Sequence, residues 1–495
     1  MGKEVIRIQD NDNVAIALKD LCSGQAVRVG EEEIILREDI PAGHKFAVRE
    51  IGAGQPVMKY GYSIGLAKEP ILKGAWIHTH NVKTGLGELL TYEYQPVQEP
   101  VKADEEPVYF QGYRREDGKA GIRNEVWIIP TVGCVNDIAK TLERMGKEIL
   151  PPEVDEIIAL THPYGCSQLG DDQLNTQKIL AGLVKHPNAA GILVLGLGCE
   201  NNSIEEMKKQ IGSYNEERVK FLICQDWEDE INQGMEYVKE LLQRASRFRR
   251  EPIPSSELIV GLKCGGSDGF SGITANPAVG AFSDLLVAQG GTTILTEVPE
   301  MFGAETILMN RCADENLFAQ TVNLINDFKQ YYMDYNQPIY ENPSPGNKKG
   351  GITTLEDKSL GCTQKSGKSL VKGVVRYGEQ VTEKGLNLLS GPGNDIVAAT
   401  ALAAAGAHIV LFTTGRGTPF GSQVPTVKIS SNTPLYEKKR NWIDFNAGRL
   451  LEDTDMEELA AELFRFVLEI ASGKKVKSEE NGYRDMAIFK QGVTL

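Results

Sequence analysis

Five of the eight cysteines stand where short apolar runs end. Cys134, Cys166, Cys199, Cys224 and Cys264 each fall at or just after the carboxyl end of a segment with the pattern of a buried strand. In an open parallel sheet, the carboxyl ends of the strands line the crevice in which ligands bind. Each of these thiols is therefore either a small core side chain or a group at one candidate site.

Three of these cysteines have polar, glycine-rich surroundings. Cys166, Cys199 and Cys264 lie in the segments HPYGCSQ, GLGCENN and KCGGSDGFSG. Glycine lets the backbone approach a ligand closely and form concave groups of N–H donors that hold anions. Cys134 and Cys224 are more consistent with structural roles. Because the cysteines are spread thinly along a long chain, we expect free thiols in a reducing compartment rather than a disulfide framework.

A second pattern that could do chemistry is the pair His78 and His80 in the strand-like run WIHTH. Residues i and i+2 of a strand point to the same face, so the two imidazoles form half of a site for a divalent metal ion. His44, in AGHKFAV, could supply a third ligand from a neighbouring strand and leave positions open for a substrate. The alternative is that His80 pairs with a carboxylate and His78 faces solvent.

Lysine and arginine residues stand in several glycine-rich segments: Arg114, Arg115, Arg123, Lys358, Lys365, Lys368 and Arg416. A guanidinium can bind a carboxylate through two parallel hydrogen bonds, so these residues are candidates for holding an acidic substrate. The alternative for each is a solvated surface position. The segments GLGCEN and TGRGTPFG match neither the dinucleotide fingerprint nor the Walker lysine motif, so nucleotide binding is not favoured.

Composition restricts the class of protein. The 495 residues are enough for about three domains, and 41% hydrophobic with 24% charged residues is typical of globular proteins rather than disordered or fibrous ones. The formal net charge of -15 repels phosphate backbones and anionic lipid, so neither nucleic acid nor a membrane is an expected partner. Polar interruptions in the longest apolar run, 396–412, and the lack of an apolar signal core at the amino terminus predict a cytoplasmic protein.

The elements that would position these residues change type along the chain. Residues 1–93 contain short strand-like runs separated by Gly and Pro, which predict a small all-β domain. Residues 94–110 carry Pro and acidic residues without periodicity, as expected of a linker. Beyond them, apolar runs alternate with amphipathic stretches, the pattern of α/β domains with largely parallel sheets, which we divide into 111–250 and 251–495.

Long motifs in the chain resemble one enzyme family. The segments PAGHKFAV, GQPVMKYGYSIG and WIHTHN resemble a SAF domain, a small β-clip module. HPYGCSQLGDD, KCGGSDGFSGITANP, SLGCTQK and VLFTTGRGTPFGSQVPTVKI resemble the altronate/galactarate dehydratase family. The resemblance extends over essentially the whole chain, so it implies the domain order of that family as well.

The resemblance implies a hydro-lyase that converts D-altronate to 2-dehydro-3-deoxy-D-gluconate and water in hexuronate catabolism. It also implies iron(II) as cofactor, with manganese(II) sometimes supporting the reaction. Removal of the C2 proton next to a carboxylate produces a dianionic enediolate, which needs a cation for stabilisation. A base would take that proton, and an acid would assist departure of the C3 hydroxyl.

Within this chemistry, we assign hypothetical roles from residue type and chain position. His44, His78 and His80 would bind iron on the SAF-like domain, facing the crevice of the α/β domain. His162, at a strand end, is the candidate acid or base because its titration range suits proton transfer near neutrality, and Lys358 joins it in the catalytic set. The remaining residues would hold the carboxylate, the hydroxyls or the developing anion: Arg123, Gly265, Gly266, Ser267 and Arg416.

Several alternatives stay open at this point. The metal centre could instead be an iron–sulfur cluster with Cys166, Cys199 and Cys264 as thiolate ligands, although their spacing matches no compact cluster motif. The chain could be a galactarate dehydratase, a sulfolactate sulfo-lyase or a non-catalytic sugar-acid binding protein. We also expect a homo-oligomer, a dimer, that binds a small sugar acid.

Overall fold

The computed structural model describes residues 4–87, 89–97, 106–452 and 454–495. Its strands, β1 to β23 in chain order, are Val5–Ile6, Val14–Ala17, Ala26–Val29, Glu32–Ile35, Lys45–Ala47, Pro56–Lys59, Tyr62–Ala67, Trp76–Ile77, Val82–Lys83, Tyr109–Arg114, Ala120–Gly121, Glu125–Pro130, Glu156–Ala159, Ala189–Gly196, Val219–Ile223, Glu251–Pro254, Ile259–Cys264, Thr292–Leu295, Val371–Val375, Gly385–Leu389, Ile409–Thr414, Thr426–Ser430 and Phe445–Asn446. Its α-helices, α1 to α13, are Asn136–Lys147, Gly170–Val184, Ile204–Ile211, Glu230–Ala245, Ala275–Ala288, Glu305–Met309, Glu315–Asp334, Pro345–Lys349, Leu355–Cys362, Asp395–Ala404, Thr433–Lys438, Met456–Ala471 and Lys477–Glu480.

The amino-terminal region is built from three small antiparallel sheets, β1-β2-β5-β8, β3-β4 and β6-β7-β9. In β3, Val27 and Val29 are buried whereas Ala26 and Arg28 are exposed, which is the alternation expected of a sheet with one solvated face. Gly43 turns the chain at a φ of 81°, where a side chain would be strained. The prediction of a small all-β region at the amino terminus is confirmed.

The predicted linker, 94–110, lies partly outside the described residues, because 98–105 are not among them. Before this gap, the hydroxyl of Tyr94 donates to the carbonyl of Cys312 at 2.6 Å. After the gap, β10 pairs antiparallel with β16. This pairing joins the entrance and the exit of the first α/β region.

That region contains a four-stranded parallel sheet in the order β13-β12-β14-β15. All eight residues of β14 are buried, as expected for a strand covered by helices on both faces. The chain passes from β12 to β13 on one side and later to β14 on the other. The sheet therefore has a topological switch point between β12 and β14.

The second α/β region contains a seven-stranded parallel sheet in the order β19-β20-β18-β17-β21-β22-β23. Its switch point lies between β17 and β21, since β18 and β21 flank β17 on opposite sides. Helix α10 packs against α2 of the first region, where Gly182 approaches Ala404 so closely that a β-carbon would lie 2.5 Å from the Ala404 carbonyl oxygen. The prediction of α/β domains with largely parallel sheets is confirmed. Within the described ranges, no helix is long and apolar enough to cross a membrane.

Helices α8 and α9 lie between the amino-terminal sheets and the seven-stranded sheet. Helix α9 contacts β7, and the backbone that follows α8 packs, together with the loop at Gly269, against the turn at Gly43. A β-carbon on Gly269 would lie 1.9 Å from the Gly43 carbonyl oxygen, and one on Gly351 would lie 2.5 Å from it. This close backbone approach needs glycine at both positions, and it closes the amino-terminal region over the carboxyl edge of the large sheet.

Candidate active site

The carboxyl ends of β17 and β21 lie side by side at the switch point of the seven-stranded sheet. Cys264 is the last residue of β17, and Arg416 follows β21. The Gly265 amide donates to the Thr413 carbonyl at 3.0 Å, and the Arg416 amide donates to the Gly266 carbonyl at 3.0 Å. The structure therefore brings Cys264, the glycine-rich loop after it and Arg416 to the position where open parallel sheets bind ligands.

A buried group of three possible metal ligands stands at this edge: Cys264, Glu300 and Cys362. Cys264 ends β17, Glu300 lies in a short 3-10 turn after β18, and Cys362 ends α9. The two sulfur atoms are 3.4 Å apart, and Glu300 Oε2 lies 3.0 Å from Cys264 Sγ and 3.2 Å from Cys362 Sγ. Thiolates and a carboxylate are ligands for iron or zinc, so this group could bind a metal ion.

Two ammonium groups neutralise these ligands. Lys365 Nζ lies 3.0 Å from Cys264 Sγ, and Lys358 Nζ lies 2.7 Å from Glu300 Oε1. Burial alone would raise the pKa of Glu300, but Lys358 and Lys365 lower it to about 2. The hydrogen bond with Cys362 lowers the pKa of the Cys264 thiol, and the same two lysines favour its thiolate. Glu300 is therefore ionised at neutral pH, and Cys264 ionises more readily than an ordinary thiol.

A second group of charged side chains lies next to the backbone of Cys264. Lys263 Nζ lies 3.1 Å from Glu297 Oε1 and 2.6 Å from Asp395 Oδ1, and the Cys264 amide donates to Glu297 Oε2 at 3.0 Å. Glu297 has a φ of 70°, a left-handed conformation that is unfavourable for a residue with a side chain. Charged contacts thus hold the end of this strand and stabilise the strained backbone conformation of Glu297. Strain of this kind is common at functional sites.

Next to the ligand group, the structure leaves a polar atom without a partner. Lys358 Nζ also contacts Asn342 Oδ1 at 3.0 Å, and Asn347 Nδ2 donates to the Ser267 carbonyl at 2.8 Å. The hydroxyl oxygen of Ser267 is buried and makes no hydrogen bond within the part of the chain that the structure describes. Buried hydroxyls normally have partners, so this one is available to an oxygen atom of a ligand. Of the substrate-binding residues predicted from the sequence, the structure places Gly265, Gly266, Ser267 and Arg416 here.

The three predicted metal-binding histidines lie on the amino-terminal region, on the other side of α8. The rings of His44 and His78 stack with centroids 5.2 Å apart. Their Nε2 atoms point to separate backbone carbonyls, at 3.3 Å to Lys349 and 2.8 Å to Lys348. His80 is exposed, and its ring centroid lies 5.4 Å from that of Trp76.

The histidine atoms therefore do not converge on one point in this geometry. Among the described residues, the group of three or more ligand atoms that lie within 4.8 Å of one another is Cys264, Glu300 and Cys362. The imidazoles of His44 and His78 instead join the amino-terminal region to α8, which carries the side chain of Asn347 into the site. The sheet edge is therefore a further candidate for a metal site, and the site of three histidines stays a prediction.

Two other predicted residues are fully engaged with protein groups. His162 is buried; its Nε2 donates to the Pro130 carbonyl at 2.7 Å, and its Nδ1 accepts from the Tyr164 amide at 3.1 Å. Burial lowers its pKa to about 4. All five N–H groups of Arg123 donate to Glu479 and to backbone carbonyls. Among the described residues, both side chains have their donors and acceptors engaged by protein groups, and the roles suggested for them by the sequence stay predictions.

Cys166 and Cys199 lie at the carboxyl edge of the four-stranded sheet, not with Cys264. Both are exposed, with Cys166 Sγ 3.7 Å from Asn201 Oδ1 and Cys199 Sγ 3.7 Å from Gln225 Nε2. Cys264 is buried at the edge of the other sheet, and the three-cysteine cluster stays a prediction.

Sequence reasoning missed two members of the ligand group, Glu300 and Cys362. Glu300 stands in VPEMFG, directly after the strand that ends at Leu295, so the rule of strand ends could have found it. Cys362 carries no such signal, because it ends a helix. Its place in the group depends on how α9 packs.

Comparisons with known proteins cover the whole chain. Three family models match: "Altronate/galactarate dehydratase SAF domain" over residues 3–85, "D-galactarate dehydratase/Altronate hydrolase, second domain" over 112–246, and "D-galactarate/Altronate dehydratase, C-terminal" over 255–494.

Three curated relatives extend this similarity along the full length. The chain is 55% identical to the altronate dehydratase of Bacillus subtilis, covering 100% of both chains. It is 53% identical to the altronate dehydratase of Escherichia coli, covering 99% of this chain and 100% of that one. It is 36% identical to the galactarate dehydratase (L-threo-forming) of Escherichia coli, covering 98% and 96%.

Proposed function

Because the chain belongs to the altronate/galactarate dehydratase family, we propose that it is a hydro-lyase that dehydrates D-altronate to 2-dehydro-3-deoxy-D-gluconate. The observation that carries this proposal is the full-length identity of 55% and 53% to two altronate dehydratases, against 36% to a galactarate dehydratase. The reaction takes a proton from C2 and releases the C3 hydroxyl.

The ligand group fits a single metal ion. Two thiolates on one tetrahedral ion with metal–sulfur bonds of about 2.3 Å are separated by about 3.8 Å, and a thiolate and a carboxylate oxygen by about 3.5 Å. The observed separations of 3.4, 3.0 and 3.2 Å are a few tenths of an ångström shorter. Cys264, Cys362 and Glu300 would therefore hold iron(II), and the thiolates favour it over manganese(II), which prefers oxygen ligands.

When bound, the ion supplies positive charge that stabilises the carboxylate of the substrate as the C2 proton leaves. The protein adds charge of its own at the same place. Lys358 stays protonated, because Glu300 raises its pKa against the effect of burial. Its ammonium group would bind the substrate carboxylate or donate a proton to the departing C3 hydroxyl, and it is unsuited to accept the C2 proton.

Substrate orientation is assigned to the glycine-rich loop and its neighbours. The free hydroxyl of Ser267 would donate to a hydroxyl or carboxylate oxygen of the sugar acid. Arg416, whose Nη1 contacts the Gly346 carbonyl at a long 3.4 Å, can turn its guanidinium toward an anionic group. The glycines at 265 and 266 add no side chains to this loop. A β-carbon on Gly265 would lie 2.5 Å from Asp395 Oδ1, so the loop can pack here only without one.

The test is formation of a 2-keto acid from D-altronate by protein loaded anaerobically with iron(II), with and without a chelator. Product that the chelator abolishes is the expected result, and galactarate should react more slowly under the same conditions. If folded, iron-containing protein turns over galactarate or sulfolactate but not altronate, the proposed substrate is wrong and the compound that reacts takes its place. Binding of altronate without turnover of any of the three would point to a sugar-acid binding protein instead.

The proposal also includes a cytoplasmic homodimer that acts on a small sugar acid. It is supported by composition, since the net charge of -15 disfavours nucleic acid and anionic lipid as partners. Light scattering on the purified, metal-loaded protein should give twice the chain mass of 54.3 kDa. A mass of one chain would remove the dimer from the proposal without affecting the activity.

A further inference from the structure

A cavity of about 560 Å³ opens at the amino edge of the four-stranded sheet, opposite the edge that carries Cys166 and Cys199. Its walls come from the turn after β10, the segments that precede β14 and β15, and the carboxyl end of α4. Five cationic side chains line it: Arg115, Lys119, Lys185, Arg218 and Arg244. The reaction proposed above does not use any of them.

Positive charge in this cavity exceeds negative charge. Glu116 and Asp117 are the two carboxylates among its lining residues. Glu116 is largely exposed and pairs with Arg244 at 2.7 Å, while Asp117 lies 3.9 Å from Lys119. Three cationic groups therefore remain in excess, on a chain whose formal net charge is -15. Such a local reversal of sign attracts anions from solution.

Two of the guanidinium groups are held by carbonyl oxygens rather than by carboxylates. Arg115 donates to the carbonyls of Pro187 and Arg123 at 2.7 and 2.6 Å. Arg218 donates to the carbonyls of Val184 and His186 at 2.9 and 2.8 Å. Within the described residues, neither forms an ion pair with a carboxylate. Their hydrogen bonds go to neutral oxygens, and nearby carboxylates such as Asp117 and Glu116 act on Arg218 only from beyond ion-pair distance, which leaves a cost of burial that a bound anion would reduce.

Mutual repulsion of these groups shows in their ionisation. Burial and the neighbouring Arg218 lower the pKa of Arg115 to about 9. Burial also lowers the pKa of Arg218 to about 10; Arg244 acts in the same direction, whereas Asp117 and Glu116 oppose it. An anion in the cavity would relieve this repulsion, because each guanidinium would gain an opposite charge nearby.

Arg244 provides an independent sign of a missing partner. Its side chain is buried, its Nη1 donates to the Ala190 carbonyl at 2.9 Å, and its Nη2 pairs with Glu116. Its Nε is buried and has no hydrogen-bond partner among the described residues. Buried donors of this kind are normally satisfied, and this one belongs to a side chain that lines the cavity.

We propose that this cavity binds a small phosphate monoester. A phosphate group carries nearly two negative charges and three acceptor oxygens, which match several separate donors better than a single carboxylate does. Apolar groups of Val184, Ile211, Tyr214 and Phe248 form the remaining wall and can cover the organic part of the ester. The volume is sufficient for a small metabolite.

The test is an isothermal titration calorimetry experiment in which phenyl phosphate is added to the metal-loaded protein at constant ionic strength. We expect one binding site per chain and an affinity that falls about tenfold or more in the double variant Lys119→Gln/Lys185→Gln, because two charge-assisted contacts are lost. Both lysines lie at the rim, so this variant should fold normally. The matched control is Lys209→Gln/Lys239→Gln, which removes two exposed lysines on α3 and α4 that pair with Glu206 and Glu236.

Two further measurements complete the test. Arg244→Lys keeps the charge but removes the free Nε donor, and it should also weaken binding. Benzoate, a monoanion of similar shape, should bind at least about tenfold more weakly than phenyl phosphate. The proposal is overturned if phenyl phosphate does not bind, if it binds equally to the double variant and its control, or if benzoate binds as well.

Discussion

The two parallel sheets carry cysteines at equivalent positions, yet the surroundings of these thiols differ sharply. At the edge of the four-stranded sheet, Cys166 and Cys199 are exposed and lie near neutral amides. At the edge of the seven-stranded sheet, Cys264 is buried between a carboxylate, a second thiol and an ammonium group. A strand end thus determines where a thiol lies, but the groups packed over it determine its chemistry.

The covering segment explains the difference. Helix α9 brings Lys358 and Cys362 to the large sheet, and Lys365 follows directly after it. The same helix is anchored from the other side by Asp357, which lies 2.9 Å from both Lys45 and Lys59 of the amino-terminal region. At the edge of the small sheet, the carboxyl-terminal residues pair with Ser167 and Gln168, but they leave Cys166 and Cys199 exposed to solvent.

The largest effect is expected where this cover is anchored. Asp357→Asn would leave Lys45 and Lys59 buried without their counter-charge, so we expect the free energy of unfolding to fall by about 3–5 kcal/mol. Urea denaturation at pH 7 measures this change. Glu236→Gln, which breaks an exposed ion pair with Lys239, should change it by less than about 1 kcal/mol. An equal, small effect of both substitutions would contradict the anchoring role.

The next effect separates the two sets of cysteines. Cys264→Ser should lower kcat/KM for the dehydration by at least about 100-fold. Removing a residue that only hydrogen-bonds to a metal ligand already lowers activity by about 10- to 100-fold, and removing the ligand itself should lower it further. The same substitution should lower the bound iron measured by elemental analysis. Cys166→Ser and Cys199→Ser should leave both quantities within about twofold. Equal losses in all three variants would restore the iron–sulfur hypothesis.

A smaller effect is expected for a carboxylate at the edge of the small sheet. Glu200 accepts hydrogen bonds from the Thr131 hydroxyl at 2.6 Å and the Gly198 amide at 2.6 Å, without a cationic partner among the described residues. Glu200→Gln should cost about 1–3 kcal/mol of unfolding free energy, because one acceptor becomes a donor. Activity per folded molecule should change little. A loss of activity as large as that of Cys264→Ser would make this edge part of the active site.

The smallest effect concerns pH. Burial lowers the pKa of His162 to about 4, from an ordinary value near 6.5. The unfolded chain therefore takes up a proton between pH 6.5 and 4 that the folded protein does not, so the stability from this residue is complete above pH 6.5 and is lost as the pH falls toward 4. At pH 5.5 the loss is about 1 kcal/mol.

His162→Gln should remove this part of the pH dependence of unfolding while leaving the pH profile of kcat unchanged. Urea denaturation at pH 7 and 5.5 and a pH–rate profile measure the two. A shifted pH–rate profile would return His162 to the catalytic set and would make the small sheet contribute to the chemistry.

Much of the fold and part of the site follow from local patterns. Short strand-like runs separated by Gly and Pro predicted the all-β region at the amino terminus, and apolar runs that alternate with amphipathic stretches predicted the parallel sheets. Glycine-rich segments pointed to Gly265, Gly266, Ser267 and Arg416, whereas the rule that ligands meet strand ends selected Cys264, because that rule depends only on chain direction within a sheet. It equally selected Cys166 and Cys199, which belong to the other sheet.

Residue type alone does not show which side chains are buried and already hydrogen-bonded to protein groups. His162 and Arg123 look reactive in sequence, but their hydrogen bonds are taken by Pro130, Tyr164 and Glu479. Glu300 and Cys362, which look ordinary in sequence, lie beside Cys264. What the amino-acid sequence by itself determined is the order of the sheets and the residues at their edges. Only the tertiary structure decided which edge is covered by α9 and which charges meet there, because ion pairing and burial depend on contacts between segments about 100 residues apart, and no local pattern records them.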